Sequence, residues 1–240
     1  MGRISLTAAA TLALAWAAPA FAGPPYITDD PDPTELGHYE IYVLSDGLFA
    51  NHNYDGVTGV DLNYGPVADV QLTATLPLNV SSAARPHVAR GEVEIGVKWR
   101  FLEDKKRGLS LAMFPRVFLP TSRNGGRASL LLPVWAGWKN EHWSVFGGGG
   151  FHLRPGAGNR DSWIEALAVT RTLSERLTIG AEITHEGADV IGGEGSATFG
   201  LGAVVGLGGP FSLLLSGGPQ RGDRTHDFGL HAYAALGLNF

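Results

Sequence analysis

GEVEIGVKWRF, residues 91 to 101, has two faces that call for different solvents. In an extended chain Val93, Ile95, Val97, Trp99 and Phe101 share one side, while Glu92, Glu94, Lys98 and Arg100 share the other. A helix would scatter both sets around its circumference. The stretch therefore reads as a strand at a boundary between water and an apolar medium.

The alternation recurs in about twelve segments: 38 to 48, 56 to 64, 67 to 76, 91 to 101, 109 to 118, 128 to 138, 143 to 153, 162 to 172, 176 to 186, 196 to 207, 210 to 217 and 228 to 240. LTIGAEITHE sets Leu177, Ile179, Ala181 and Ile183 against Thr178, Glu182, Thr184 and Glu186. VADVQLTATL sets Ala68, Val70, Leu72, Ala74 and Leu76 against Asp69, Gln71, Thr73 and Thr75. The connections alternate between long and short, from FANHNYD and YGP through PLNVSSAARPHVAR and LEDKKRG to GPQRGDRTHD. Membrane-spanning β-barrels impose this rhythm, with longer extracellular loops, short periplasmic turns and an even strand count. The last segment, HAYAALGLNF, places Leu230, Ala232, Ala234, Leu236, Leu238 and Phe240 on one face. It is similar to the aromatic-closed final strand that the barrel assembly machinery reads. The expectation is an all-β protein of the bacterial outer membrane: a transmembrane antiparallel β-barrel of about twelve strands, apolar faces on lipid and charged faces in the lumen.

The rest of the chain fits an exported protein. Arg3 and the apolar run ISLTAAATLALAWAAPAFA read as a signal peptide over 1–22, with cleavage expected before Gly23. The next segment, GPPYITDDPDPTELG, is too rich in proline and acid for a strand or helix, so 23–37 is expected to be an extended periplasmic arm and 38–240 the barrel. Its Asp29, Asp30 and Asp32 could ligate calcium, but a solvated linker is the preferred reading. With no cysteine there are no disulfides, thiol nucleophiles or cysteine metal sites. A net charge of −5 gives no basic footprint for nucleic acid.

Several pieces, in order, carry a family resemblance: PPYITDDPDP, DLNYGPVADVQLTATLPL, GEVEIGVKWRFL, FPRVFLPT, LPVWAGW, FGGGG and LTIGAEITHEGAD. The chain resembles the outer-membrane transporter group of the MetA pathway of phenol degradation, a family of β-barrel porins. The resemblance covers nearly all of the mature chain. It implies passive uptake of small, aromatic or hydrophobic solutes, and no catalytic or ligand-binding residues.

The candidate functional residues are those expected to line the pore: Asp61, Asp69, Glu92, Glu94, Lys98, Arg100, Arg116, Glu165, Arg171 and Glu182. Both signs are present, so these charges either fill the lumen by pairing or set the field around a passing solute. A register pairing Phe101 with Leu109 would put Glu94 opposite Arg116. No metal, cofactor or enzymatic chemistry is expected, because no histidine spacing resembles a zinc site and no Gly-Lys-Ser/Thr follows Gly147 to Gly150. Those glycines read as a track that makes room for side chains from the opposite wall. The alternatives to a channel are a sealed structural barrel and a lipid hydrolase using Ser162 and His185, which a turn at LSER could bring face to face on the lipid side.

Overall fold

The computed structural model describes residues 25–121 and 126–240. The expected signal peptide lies outside the described residues. Twelve antiparallel strands close into a barrel, and the described residues contain no helix. They are β1 (Tyr39–Ala50), β2 (Asn53–Val67), β3 (Val70–Ser81), β4 in two pieces (Val88–Arg90 and Val93–Asp104), β5 in two pieces (Leu109–Met113 and Arg116–Leu119) and β6 (Ser129–Lys139). The remainder are β7 (Trp143–Leu153), β8 (Ser162–Ser174), β9 (Leu177–Glu186), β10 (Ser196–Gly208), β11 (Phe211–Gly222) and β12 (Phe228–Asn239). Closure runs from Glu40 opposite Asn239 to Phe49 opposite Leu230, so the first and last strands leave no open edge to lipid. An unpaired backbone group there would cost several kcal/mol.

The two broken strands have local causes. Pro115 has no N–H to give β5's ladder, yet the wall stays bonded, because Val97 N–H donates to Pro115 O at 3.1 Å and Phe114 N–H to Pro133 O at 3.1 Å. In β4 the break falls at Gly91, whose N–H donates to Pro77 O at 3.0 Å. This break explains why 88–90 escaped the alternating pattern that begins at residue 91.

The faces separate as the alternation predicts. Ile95, Trp99, Ile183 and Leu201 are 49, 49, 57 and 59% exposed on the outer wall, where lipid takes the place of a packed core. Aromatic contacts mark both rims. Tyr39 stacks with Tyr64 and Phe240 at the end where the described chain enters and leaves the barrel, and Phe151 meets Trp163 at the other. Inside, Trp135 is fully buried opposite Gly148 of the glycine track.

The connections depart from expectation in one place. The first extracellular connection is a two-residue turn at Asn51 and His52, with φ of 50° and 63°, because β1 and β2 extend through most of FANHNYD. Two positive φ values give the primed turn whose twist matches a hairpin. The rest keep the rhythm: the turns 68–69, 105–108, 140–142, 175–176 and 209–210 lie on one side, and the described connecting residues 82–87, 120–121, 126–128, 154–161, 187–195 and 223–227 on the other.

Candidate functional site

The segment expected to extend into the periplasm instead lies inside the lumen, filling its periplasmic half from residue 25 onward. Thr28 and Thr34 are 0 and 1% exposed. Proline and acid keep the segment out of regular structure, as the sequence implies, but its polar groups find partners on the wall rather than in water.

Four sets of wall residues hold it. Glu182 of β9 accepts from the N–H and hydroxyl of Thr28 at 3.0 and 2.9 Å. Gln71 of β3 does the same for Thr34, at 2.8 and 3.0 Å, and its own amide donates to Asn63 and Thr73. Lys98 Nζ lies 2.8 Å from Asp29 and 3.8 Å from Asp30, with 3% of its side chain exposed. Asp32 takes Arg100 at 2.8 Å and Lys139 at 2.6 Å. Shape completes the fit. Gly137 leaves space for Pro31, and Gly180 and Gly202 flank the Tyr26 ring, which a Cβ at either position would strike.

The arm's acids are thus neither a calcium site nor a solvated linker. Among the described residues no group of histidine and acid side chains could hold a metal ion. Burial pushes the Asp30 carboxyl up to about 7, against the pull of Lys98. Burial acts on Asp32 in the same sense, but Lys139 and Arg100 outweigh it and hold that carboxyl below its ordinary range.

Above the arm the lumen widens into two spaces. A cavity of about 290 Å³ is lined by arm residues Tyr26 to Asp29 and by Glu40, Tyr42, Asp61, Glu94, Arg116 and Tyr233 of the wall. A second, of about 540 Å³, opens toward the extracellular side past Glu92, Phe118 and Pro120. Val57, Thr75 and Glu94 border both.

The expected pore residues therefore divide. Asp61, Glu94 and Arg116 line the inner cavity, Glu92 the outer one, and Lys98, Arg100 and Glu182 grip the arm. Asp69 sits in the periplasmic turn before β3, with φ of 64°, and bonds Arg100 at 2.6 Å. Glu165 and Arg171 do not face the lumen. On β8 they share the outer face with Trp163, Leu167 and Val169, all exposed, and Arg171 lies over the Trp143 ring at 5.1 Å. Their charge suggested the lumen, but strand parity puts them outside.

Two register expectations also change. Glu94 lies opposite Phe118 and Arg116 opposite Gly96, a displacement of two from the expected pairing, because the 105–108 turn is tighter than LEDKKRG implied. The ion pair forms nonetheless, at 3.4 Å, since the guanidinium reaches diagonally. Ser162 and His185 do not meet. Ser162 is buried opposite His152, whereas His185 lies on the outer face opposite Glu165 and bonds Asp223 at 3.0 Å. The proposed nucleophile and base are on opposite sides of the wall.

Several site residues escaped the sequence reading. Glu40, Tyr42, Gln71 and Lys139 were passed over, as was His231, 2.6 Å from Asp46. The arm's three aspartates opposite inward cations were the available signal.

No protein-family model matches the chain, and no curated protein does. Solved structures do. The COG4313 outer membrane channel from Pseudomonas putida F1 superposes with a TM-score of 0.63 at 13% identity, over 88% of this chain and 98% of that one. This is the fold of an outer-membrane β-barrel. The KdgM porin aligns at a TM-score of 0.60 and 8% identity, over 83% of this chain and 99% of the porin. The translocator domain of the autotransporter NalP from Neisseria meningitidis gives 0.56 and 14%, over 87 and 90%. The lipid-facing belt of the closed barrel and these neighbours place the chain in the bacterial outer membrane.

Proposed function

We propose that this outer-membrane barrel is a porin-like channel for passive passage of small solutes, with its N-terminal segment as a removable restriction. The carrying observation is what fills the lumen. A barrel packed with its own wall side chains is closed permanently. Here the periplasmic half is filled by a chain segment that bonds the wall through backbone only near its end, where Gly37 N–H donates to Gly65 O at 2.7 Å, and is held further in by hydrogen bonds and ion pairs of wall side chains. It can leave without breaking a strand.

The rings of Tyr42, Phe114 and Tyr233 share the inner cavity with carboxylates, a lining that suits small aromatic solutes with polar substituents. The resemblance to the MetA-pathway transporters points the same way. The reading is non-catalytic, and the final strand ending in Phe240 is the element we assign to recognition by the assembly machinery. Single-channel recording in planar bilayers and liposome swelling with phenols and sugars test it. A sealed structural barrel is the competing reading, favoured by the burial of Thr28 and Thr34. Absence of conductance and of permeability to every solute would establish that one.

A further inference from the structure

The arm's acids sit in two definite carboxylate seats on the wall. Asp32 Oδ1 lies 2.8 Å from Arg100 Nη1 and its Oδ2 lies 2.6 Å from Lys139 Nζ, so one carboxylate is clamped between a guanidinium on β4 and an ammonium on β6. Two residues away on β4, Lys98 Nζ takes Asp29 at 2.8 Å and also donates to the backbone carbonyl of Asp32 at 3.4 Å. The two seats are therefore a few atoms apart, bridged in the docked state by a short stretch of main chain. Charge-assisted bonds of this kind hold a carboxylate whatever molecule carries it.

The wall does not satisfy these cations by itself. Among the described residues, every ion-pair partner of Lys98 and of Lys139 belongs to the arm. Arg100 keeps two wall partners, Asp69 at 2.6 Å and Glu103 at 3.3 Å. Release of the arm thus leaves two lysines in the lumen without a paired carboxylate. A solute with two carboxylates can take the vacated seats, and it binds the released state alone, because the docked arm fills both. Access is from the periplasm. Lys139 stands half exposed beside the 140–142 turn, whereas an anion coming from outside meets Glu92, Glu94 and Asp61 first and is repelled.

We propose, on the reading of the arm as removable, that Lys98, Arg100 and Lys139 form a binding site for a small periplasmic dicarboxylate, with the arm's aspartates as its internal competitor. One carboxylate takes the Arg100–Lys139 clamp and the other takes Lys98. The ligand is an effector that keeps the released arm off the wall, not cargo for the acidic outer half of the lumen.

The chain has no cysteine, so Pro33→Cys puts a single thiol at a buried position of the docked arm. Its rate of modification by a water-soluble maleimide, in the full barrel in mild detergent, reads release directly and without reference to conductance. While the docked form predominates, the rate should rise in proportion to added succinate, about tenfold at ten times the dissociation constant. Acetate at equal ionic strength screens the same ion pairs but fills one seat at a time, and should raise the rate less than about twofold. Adding Lys139→Gln should remove most of the succinate response, measured against that chain's own rate without succinate, with folding checked by heat-modifiable migration. Equal acceleration by acetate overturns the proposal, because screening alone would then free the arm, and so does a succinate response undiminished by Lys139→Gln. Labelling that speeds up on adding Lys98→Met but is unmoved by succinate overturns the dicarboxylate site and leaves the removable arm standing. A thiol that stays protected in both chains, with and without succinate, overturns the removable arm and the site with it.

Discussion

Replacing Lys98 by Met should release the N-terminal segment while leaving the barrel intact. Lys98 is 3% exposed between Asp29 at 2.8 Å and Asp30 at 3.8 Å, and it stands on a strand whose ladder does not use its side chain. Breaking a buried ion pair by removing one partner costs about 3–5 kcal/mol, because the other charge is left buried and alone. Asp30 can recover part of this by holding a proton, since burial already pushes its carboxyl up to about 7. The lower end, about 3 kcal/mol, is therefore expected. At tenfold per 1.4 kcal/mol, the docked fraction relative to the released one falls by about 100-fold. What remains is the pairs Thr28 with Glu182, Thr34 with Gln71, and Asp32 with Arg100 and Lys139. Single-channel recordings of the wild type, Lys98→Met and a chain lacking residues 23–37 give the readout. The variant should dwell in the same high-conductance level as the truncated chain, at unchanged heat-modifiable migration. Wild-type conductance in Lys98→Met, with a larger one in the truncated chain, would refute the latch. Wild-type conductance in the truncated chain would show that the segment is no restriction.

Other perturbations reach the same parts by different routes. Gly137→Leu should evict the segment sterically, since even a Cβ there would lie 2.7 Å from Pro31 Cγ; recordings should match the truncated chain. Docking should also depend on pH. Asp30 has its carboxyl raised when docked, so its contribution is full below the free value near 4 and is lost as pH rises through about 7. Asp32, held low, contributes above about 4 and loses its contribution in acid. Openings should be rarest near pH 4, become more frequent as pH rises towards about 7 and level off above it, a rise that Asp30→Asn should flatten. Arg116→Ala removes the partner of Glu94 at 3.4 Å and should shift the reversal potential in a salt gradient toward cation selectivity. His52→Gly should stabilise the first hairpin by up to about 1 kcal/mol, measured as a higher urea midpoint, because His52 holds φ at 63°.

The barrel was legible because strand periodicity is a one-dimensional signal. Val93 to Phe101 and Leu177 to Ile183 alternate strictly, each against a polar face, and a single lipid boundary is the only solvent pair that fits both. Parity within a strand was legible wherever both faces were distinct. It misled at Glu165 and Arg171, where charge was weighed above the Trp163–Leu167–Val169 face to which both belong. Register was less visible. The Glu94–Arg116 pairing depended on where the 105–108 turn closes, and no residue in LEDKKRG fixes that point without the partner strand. The fate of the arm was not readable from composition, since proline and aspartate describe a segment that is irregular but not where it rests.

Lumen charges of opposite sign suggested a barrel that fills itself by pairing across the wall, and their placement argues for another use. Lys98, Arg100 and Lys139 lie on β4 and β6 in the periplasmic half and point at Asp29, Asp30 and Asp32. Gln71 and Glu182 offer acceptors to threonines of the same segment. Of the wall cations toward the extracellular side, Arg116 is matched within the wall itself, by Glu94. A wall that sealed itself would need no cations aimed at a tethered segment. The asymmetry makes the periplasmic half a receptor for the arm and leaves the extracellular half as the open part of the path. A solute arriving from outside would therefore meet Glu92, Glu94 and Asp61 before it met the arm. Exchanging Asp61 for Asn should then alter selectivity in the truncated chain as well as in the wild type. Lys98→Met should lose its effect once the segment is gone, and a Lys98→Met effect on conductance level that persists in the truncated chain would assign that side chain to the path rather than to the latch.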